Sequence, residues 1–233
     1  SFSRRQRQMC IRDSNMILSQ AGLKTWKLYE SVPDSHDLRE ELYQHMDTVS
    51  SKNISTNMVL PIDQHFNVKG VGLVAIGYVQ SGTVNKHDEV VILPANETGV
   101  VRSLQVMDDD VDSAVAGDRV GVALRNLREE SLHRGCMIIH PESQALIRHD
   151  NSKIKIKTAP FQKRKLTNED VIHAAVDLQF VVGRIKRVDG DLISVEWENP
   201  LWIRAEGSPE ILITQLDAMP MRIIGSVETI EQA

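Results

Sequence analysis

Short runs rich in β-branched residues, separated by Gly, Asn and Asp, fill the chain from residue 58 to its last residue. Their spacing, with glycine at the corners, is typical of small closed barrels. They form two groups, which predict two tandem antiparallel β-barrels over residues 58–142 and 143–233. The first group is Leu73–Val79, Thr83–Val84, Val90–Leu93, Val100–Val106, Arg119–Leu124 and Met137–Ile139. The second is Lys153–Lys157, Ala174–Val182, Arg184–Val188, Leu192–Trp197, Glu210–Gln215 and Met221–Val227.

Two turns within these groups are open to prediction. Ser81-Gly82 follows one run and precedes the next, so it is expected to form a hairpin corner between them. Thr167–Asp170 suggests the start of a short helical turn. The two groups of β-branched runs together predict a mainly β fold class.

A helix precedes the barrels. Asp34 is a candidate N-cap after Pro33, and Asp37 follows at the spacing of a capping box. An apolar face repeats at near-helical spacing and consists of Leu38, Leu42, Met46 and Val49. The polar stretch Ser50–Asn57 shows no periodicity and marks a boundary.

The segment Ser1–Ser14 differs from everything that follows, because it has neither helical nor strand periodicity. Its run Met9–Asp13 resembles the conceptual translation of a transposon-end adapter used in library preparation. We therefore expect residues 1–14 to be non-native. The alternative is a disordered basic tail that contacts RNA.

Charge and cysteine content limit the possible functions. The 233 residues include 27 Lys+Arg and 32 Asp+Glu, a net charge of −5. Without residues 1–14, which hold four arginines and one aspartate, these counts become 23 and 31, a charge of −8. Such a chain binds nucleic acid only through a local basic patch. Two cysteines, Cys10 and Cys136, cannot build a disulfide framework, which indicates a reduced cytosolic compartment. No apolar run approaches the roughly 18–20 residues that span a bilayer.

Two strings match guanine-nucleotide motifs. Asn85–Asp88 fits NKxD and Asp118–Gly121 fits DxxG, but their order is the reverse of that in GTPases. A phosphate-binding loop is also missing, because Tyr78-Val79 stands where the spacing from Gly72 requires Lys-Ser/Thr. We therefore predict that these residues bind no GTP by themselves.

Metal and catalytic patterns are incomplete. Asp108, Asp110 and Asp112 have the spacing of a calcium loop but lack its glycine and its final glutamate. A zinc site would need a fourth ligand beside the group His133, Cys136 and His140. Cys136 is expected in the core instead. No catalytic residue, metal ligand or cofactor-binding residue is predicted.

A basic sector stands out in this acidic chain. Residues 148–165 include one acidic residue, Asp150, and seven basic residues: Arg148, Lys153, Lys155, Lys157, Lys163, Arg164 and Lys165. The lysines at 153, 155 and 157 alternate with Ile154 and Ile156, which predicts a half-buried strand with a basic outer face. Arg184, Lys186 and Arg187 form a second cluster. Such a face suits phosphates, although it equally suits a solubilising strand surface.

Three aromatic side chains are candidates for stacking on bases, with core positions as the alternative: Phe161, Trp197 and Trp202.

The stretch Leu60–Ile139 resembles the second domain of the translational GTPases of the elongation factor Tu family. The matching pieces follow the order and spacing of the family: LPID at 60–63, FNVKGVG at 66–72, GYVQSG at 77–82, AGDRVGVALR at 116–125 and LHRG at 132–135. The variants are similar to an archaeal branch related to the selenocysteine-specific factor, some members of which have degenerate GTPase domains. Residues 143–233 then stand where the third domain of the family would be. Residues 15–57 would be the C-terminal remnant of the GTPase domain and its linker.

This resemblance implies a cytoplasmic translation factor that binds aminoacyl-tRNA or the ribosome. Arg125 matches a residue that contacts the tRNA 5′ end, and a guanidinium suits a phosphate. It is followed by Asn126 where the family usually has Gly. The candidate RNA-binding residues are therefore Arg125, Lys153, Lys155, Lys157, Lys163, Arg164 and Lys165. GTP and Mg²⁺ are implied only for a missing GTPase domain, to which the barrels would dock, and whether that domain is active stays open. Gly70 and Gly72 are expected to shape a barrel loop, by permitting positive φ or a close backbone approach, rather than to bind a ligand.

A competing function belongs to another class. The barrels would then form a non-RNA protein-interaction or regulatory module, as in the GTPase subunit of ATP sulfurylase. The local basic sector favours RNA binding, whereas the net acidity favours the module.

Overall fold

The computed structural model describes residues 4–20, 29, 31–48, 56–160, 162–207, 210–219 and 221–233. Two compact units divide the chain, Ser1–Lys52 and Asn53–Ala233. The first unit contains two helices, α1 (Arg4–Gln20) and α2 (Ser35–Thr48). Neither helix combines the length and apolar character that crossing a membrane requires.

The predicted helix ahead of the barrels is confirmed as α2, and its cap is formed by Asp34. The Asp34 carboxylate accepts the N–H of His36 at 2.8 Å, and its carbonyl accepts the N–H of Leu38 at 3.0 Å. Val49 lies outside the described residues. No described side chain of α2 is buried, and the apolar Leu42 and Met46 are 53% and 66% exposed.

Helix α1 differs from the expectation of no periodic structure over Ser1–Ser14. The run from Arg4 to Gln20 contains neither Pro nor Gly and is rich in Arg, Gln and Met, which have high helical propensity. Propensity therefore produces a helix here without a regular apolar face. The origin of residues 1–14 stays a prediction.

The second unit contains the strands of the described chain. Those of the first barrel region are β1 (Val59–Val68), β2 (Gly72–Tyr78), β3 (Thr83–Asn85), β4 (Glu89–Leu93), β5 (Glu97–Val106), β6 (Asp109–Val111), β7 (Ser113–Val115), β8 (Arg119–Arg125) and β9 (Met137–Ile139). A short 3₁₀ turn spans Glu129–Ser131. Those of the second are β10 (Leu146–Thr158), β11 (Val171–Val176), β12 (Gln179–Asp189), β13 (Leu192–Arg204), β14 (Leu212–Thr214) and β15 (Ile223–Gln232).

Both regions close into six-stranded antiparallel barrels, which confirms the predicted fold class. The first barrel has the strand order β4-β9-β1-β2-β8-β5 and is closed by pairing of β4 with β5. Strand β6 extends it beside β5, and β3 pairs with β7 separately. The second barrel has the order β10-β13-β12-β11-β14-β15 and is closed by pairing of β15 with β10.

Buried and exposed side chains alternate along the strands, and the buried ones fill the interiors of the two barrels. In β10, Ser152 and Ile154 are fully buried while the lysines between and beyond them are exposed. Because successive side chains of a strand point to opposite faces, each strand supplies the core and the surface in turn. Trp202 of β13 packs on the outside of the second barrel, in a small cluster with Val59, Leu93 and Met137 of the first.

Three predicted details of the β region are wrong. Ser81-Gly82 does not join a hairpin, because β2 pairs with β1 and β8 whereas β3 pairs with β7, and Ser81 bridges to Val59 instead. Ala174–Val182 is two strands, since Asp177 and Leu178 form a tight turn with φ of 44° and 65°. Thr167–Asp170 is a turn without helix, in which Asp170 accepts the N–H and hydroxyl of Thr167.

Candidate nucleic-acid interface

Arg125 is the last residue of β8, and it is exposed. It pairs with Val100 of β5. On the other side, Leu124 pairs with Leu73 of β2, so Arg125 lies beside Gly72 at the start of that strand. Among the described residues, no ion pair or side-chain hydrogen bond holds its guanidinium. This charge is therefore available for an anion.

The loops around Arg125 adopt left-handed backbone. Asn126 has φ of 61°, a conformation that Asn adopts more readily than most residues and that explains how it substitutes for Gly here. The expected positive φ is confirmed at Gly70 (84°) and Gly72 (100°). The Arg102 guanidinium donates to the carbonyl of Val71 at 2.5 Å, which holds this loop in place.

A hollow on the outer face of the first barrel adjoins Arg125, and sequence reasoning did not identify it. Phe66 of β1, Val74 of β2, Ala123 of β8 and Ser103 of β5 form one row across four strands. The hollow encloses about 640 Å³, and Phe66 is 41% exposed. Ala123 and Arg125 share the outer face of β8, because they are two residues apart in a strand. The end of the hollow at Phe66 and Val74 is apolar and lies next to Arg125, whereas its other end carries Asp108, Asp110 and Arg119.

The three predicted lysines of β10 share the outer face of the second barrel. Lys153, Lys155 and Lys157 are all exposed. Lys155 lies 3.6 Å from Glu228 of β15, whereas no ion pair of Lys153 or Lys157 exists in the part of the chain that the structure describes. Two of the three lysines therefore form no ion pair, although Lys153 lies opposite Glu231 of β15.

The other predicted cations line one end of the second barrel, called here the basic mouth and defined by Lys163, Arg164 and Lys165. This opening encloses about 550 Å³ above apolar interior side chains that include Ile156 and Ile193. Arg164 lies 3.6 Å from Asp170 and 3.8 Å from Asp217, so its charge is shared. Within the described ranges, Lys163 and Lys165 form no ion pair. The structure thus joins the 163–165 group to the barrel of Lys153 and Lys157, while Arg125 belongs to the other barrel.

The second basic cluster is neutralised. Each of its members has an acidic partner in the second barrel: Arg184 with Glu169 at 3.8 Å, Lys186 with Glu196 at 2.7 Å and Arg187 with Asp189 at 3.0 Å. The hydrogen bond and charge of Lys186 lower the pKa of Glu196. This surface carries alternating charge and offers no free positive face.

The aromatic candidates lie in different places. Trp197 is buried in the second barrel and donates its indole N–H to Ser152 at 2.9 Å. Trp202 is half-buried between the barrels, with the Arg148 guanidinium 6.0 Å from its ring centre. Phe161 lies outside the described residues.

The two nucleotide-like strings lie at turns. Asn85–Asp88 forms one turn, whereas Asp118 ends the turn that begins at Val115 and is followed by strand β8. Asp88 accepts the backbone N–H of Asn85 at 2.7 Å and contacts the His140 ring at 3.0 Å. Asp118 accepts the N–H of Val115 at 2.8 Å. Since both carboxylates stabilise the turns that contain them, these residues do not suit guanine or a Mg²⁺ ion.

Cys136 lies in the core, as expected. It is fully buried in the first barrel, where desolvation raises the pKa of its thiol. Across the described ranges, no group of three or more His, Cys, Asp and Glu side chains is arranged to hold a metal ion.

Comparison with known proteins defines the class of this double-barrel chain. Residues 72–139 match the family model of elongation factor Tu domain 2. Together with the relatives and solved structures below, this match confirms the predicted resemblance of the chain to the elongation factor Tu family.

Within that family, the similarity extends to selenocysteine-specific factors. The chain is 35% identical over 150 residues to the selenocysteine-specific elongation factor of Methanocaldococcus jannaschii, which covers 64% of this chain and 32% of that protein. It is 29% identical over 185 residues to uncharacterized protein MJ0325 of the same organism, covering 79% of this chain and 58% of that one. The crystal structure of translation elongation factor SelB from Methanococcus maripaludis, in its apo form, superposes with a TM-score of 0.72 at 28% identity, covering 84% and 46%. The chain thus spans about a third to three fifths of the length of these proteins.

Proposed function

We propose that the two barrels bind the acceptor arm of an aminoacyl-tRNA, as part of a cytoplasmic elongation factor similar to the selenocysteine-specific type. The observation that carries the proposal is the position of Arg125. Its guanidinium is exposed and forms no ion pair among the described residues, and it adjoins the apolar end of the hollow, at Phe66 and Val74. A single-stranded RNA end offers a phosphate for the first and a base or aminoacyl group for the second.

The second barrel adds charge to this binding surface. Four lysines of the predicted set form no ion pair among the described residues: Lys153, Lys157, Lys163 and Lys165. They suit the phosphate backbone of a helical arm, which is recognised by charge and shape. The proposal therefore assigns the end of the RNA to the first barrel and its stem to the second.

A GTPase domain is proposed as the partner of the barrels within the whole protein, and GTP and Mg²⁺ are assigned to it. Leu42 and Met46 support this arrangement, since they lie one turn apart on α2 and are more than half exposed. Such an apolar stripe is normally covered by other elements of a helical domain. The ribosome is the second proposed partner.

The test is a salt titration of binding between the purified chain and an aminoacyl-tRNA. We expect affinity to fall steeply with salt, because phosphate contacts release counterions. Arg125→Ala should weaken binding about tenfold and lower the salt slope by about one. Arg128→Ala is the matched control, because the Arg128 guanidinium already bonds to Glu97 and its loss should change the affinity less than about twofold.

Two results would count against RNA binding. One is the absence of any binding at low salt, and the other is an equal effect of the two arginine variants. The neutralised cluster at Arg184, Lys186 and Arg187 favours the competing function, a protein-interaction module. A chain that binds no RNA supports that module.

A further inference from the structure

A second cavity lies at the opposite end of the second barrel from the basic mouth. We call it the acidic mouth and define it by its rim, Glu210, Glu228 and Glu231. It encloses about 710 Å³ and is floored by apolar side chains that include Ile147 and Ile203. This volume falls within the range of ligand-binding pockets, which is roughly 300–1,000 Å³.

One polar side chain, His149, lies at the base of this cavity. It lines the cavity although it is only 4% exposed. Its Nδ1 is 3.1 Å from the hydroxyl of Ser152, which in turn accepts the indole N–H of Trp197 at 2.9 Å. In the described part of the chain, Nε2 has no partner. The second nitrogen of a buried imidazole is thus left for a ligand.

The hydrogen-bond chain determines which proton Nε2 carries. Ser152 is fully buried, so its hydroxyl proton needs an acceptor, and the unprotonated Nδ1 of His149 is the neighbour that can accept it. Burial lowers the pKa of His149, which keeps the ring neutral at pH 7. A neutral ring with bare Nδ1 carries its proton on Nε2. The base of the cavity therefore presents an N–H donor.

The rim carries an excess of negative charge. Glu210 and Glu231 form no ion pair among the described residues, although Glu231 lies opposite Lys153 in the register of β15 and β10. Glu228 lies 3.6 Å from Lys155. Arg204, which also lines the cavity, is already bonded to Asp177 at 2.8 Å. Because three carboxylates stand beside two lysines, the opening itself favours a cationic ligand over an anionic one.

We propose that the acidic mouth binds a basic peptide segment of a partner protein. A main-chain carbonyl of the peptide accepts the Nε2–H of His149, and its Lys or Arg side chains pair with Glu210 and Glu231. The alkyl stems of those side chains cover the apolar floor, as long cationic side chains commonly do. A simple polyamine meets only part of this requirement, because its charged amines are donors and leave the imidazole N–H without an acceptor.

The test uses the full chain and a fluorescein-labelled hexapeptide of alternating lysine and leucine, followed by fluorescence anisotropy. Saturable binding is expected, and Glu210→Gln with Glu231→Gln should weaken it at least tenfold. Glu130→Gln with Glu142→Gln removes the same charge from unpaired, exposed carboxylates of the first barrel, and it should change the affinity less than twofold. A hexapeptide with glutamate in place of lysine should not bind.

Imidazole ¹⁵N NMR gives a second readout at the site itself. Addition of the peptide should shift the Nε2 resonance of His149, while spermidine at the same charge concentration should not. The proposal is overturned by an absence of saturable binding, by equal losses in the two glutamine variants, or by an unmoved His149 resonance. It is also overturned if spermidine displaces the peptide completely, since the mouth would then be a general cation site.

Discussion

The two ends of the second barrel differ in charge although the same strands build both. Strand β10 contributes Ile147 and His149 to the acidic mouth and Ile156 to the basic mouth. Both openings have apolar floors, because alternation supplies the same kind of interior along the whole strand. The difference comes from what lies beyond the strand ends. The 162–166 loop brings lysines to one end, and Glu210 and the end of β15 bring glutamates to the other.

The strands of the second barrel therefore give both openings the same apolar interior, and the loops and strand ends give them opposite charge. The two mouths are then separable. A substitution at one end should leave the binding partner of the other unaffected, provided that the barrel between them stays folded.

The largest expected effect comes from the polar chain beneath the acidic mouth. Ser152→Ala removes the partner of both the Trp197 indole and His149, and each is left buried without a hydrogen bond. We expect a loss of about 2–3 kcal/mol in unfolding free energy. Urea denaturation followed by far-UV circular dichroism measures it.

The matched control for this change is Ser226→Ala on β15. No side-chain hydrogen bond of Ser226 exists within the described ranges, so its loss should cost less than about 0.5 kcal/mol. If the two alanine variants are equally stable, the Ser152 hydroxyl does not organise the acidic mouth.

A change at the basic mouth should have an intermediate effect, and on RNA alone. Lys163→Glu is expected to weaken aminoacyl-tRNA binding about tenfold at low salt, because it replaces an uncompensated cation with an anion facing phosphates. Lys86→Glu makes the same exchange at the turn before β4 and should change the affinity less than twofold. The hexapeptide should bind the Lys163 variant as tightly as the parent chain, and weaker peptide binding would mean that the mouths are not independent.

The sequence predicted this scaffold better than its charge distribution. Two barrels follow from β-branched runs and glycine corners, and the Asp34 cap follows from local residue types alone. The turn at Asp177-Leu178 was missed because Leu178 is not a turn residue, yet it has positive φ. The two-residue connection between the paired strands β11 and β12 requires positive φ at both positions.

Pairing of charges across strands was beyond the reach of sequence reasoning. Lys155 and Glu228 are far apart in the chain but lie on neighbouring strands. Arg128, in the loop after β8, likewise pairs with Glu97 at the start of β5. The number of Lys and Arg residues in the sequence therefore overestimated the free positive charge of the basic sector. His149 was missed for a related reason: its significance depends on burial and on a hydroxyl that faces it across a bulge in β10.

The smallest expected effect is a pH dependence that belongs to the acidic mouth. Burial holds the pKa of His149 below its ordinary value of 6.5. As pH falls below about 6.5, His149 is therefore protonated in the unfolded chain but not yet in the folded chain. The free energy of unfolding then decreases with falling pH until the pKa of His149 in the folded chain is reached. One such group contributes a slope of at most about 1.4 kcal/mol per pH unit. Urea denaturation between pH 8 and pH 5 should show this decline, and His149→Gln should remove it. The control is His133→Gln at an exposed histidine, which should retain the decline because His149 is still present. If His149→Gln leaves the slope of unfolding free energy against pH unchanged, the His149 ring is not held neutral by burial.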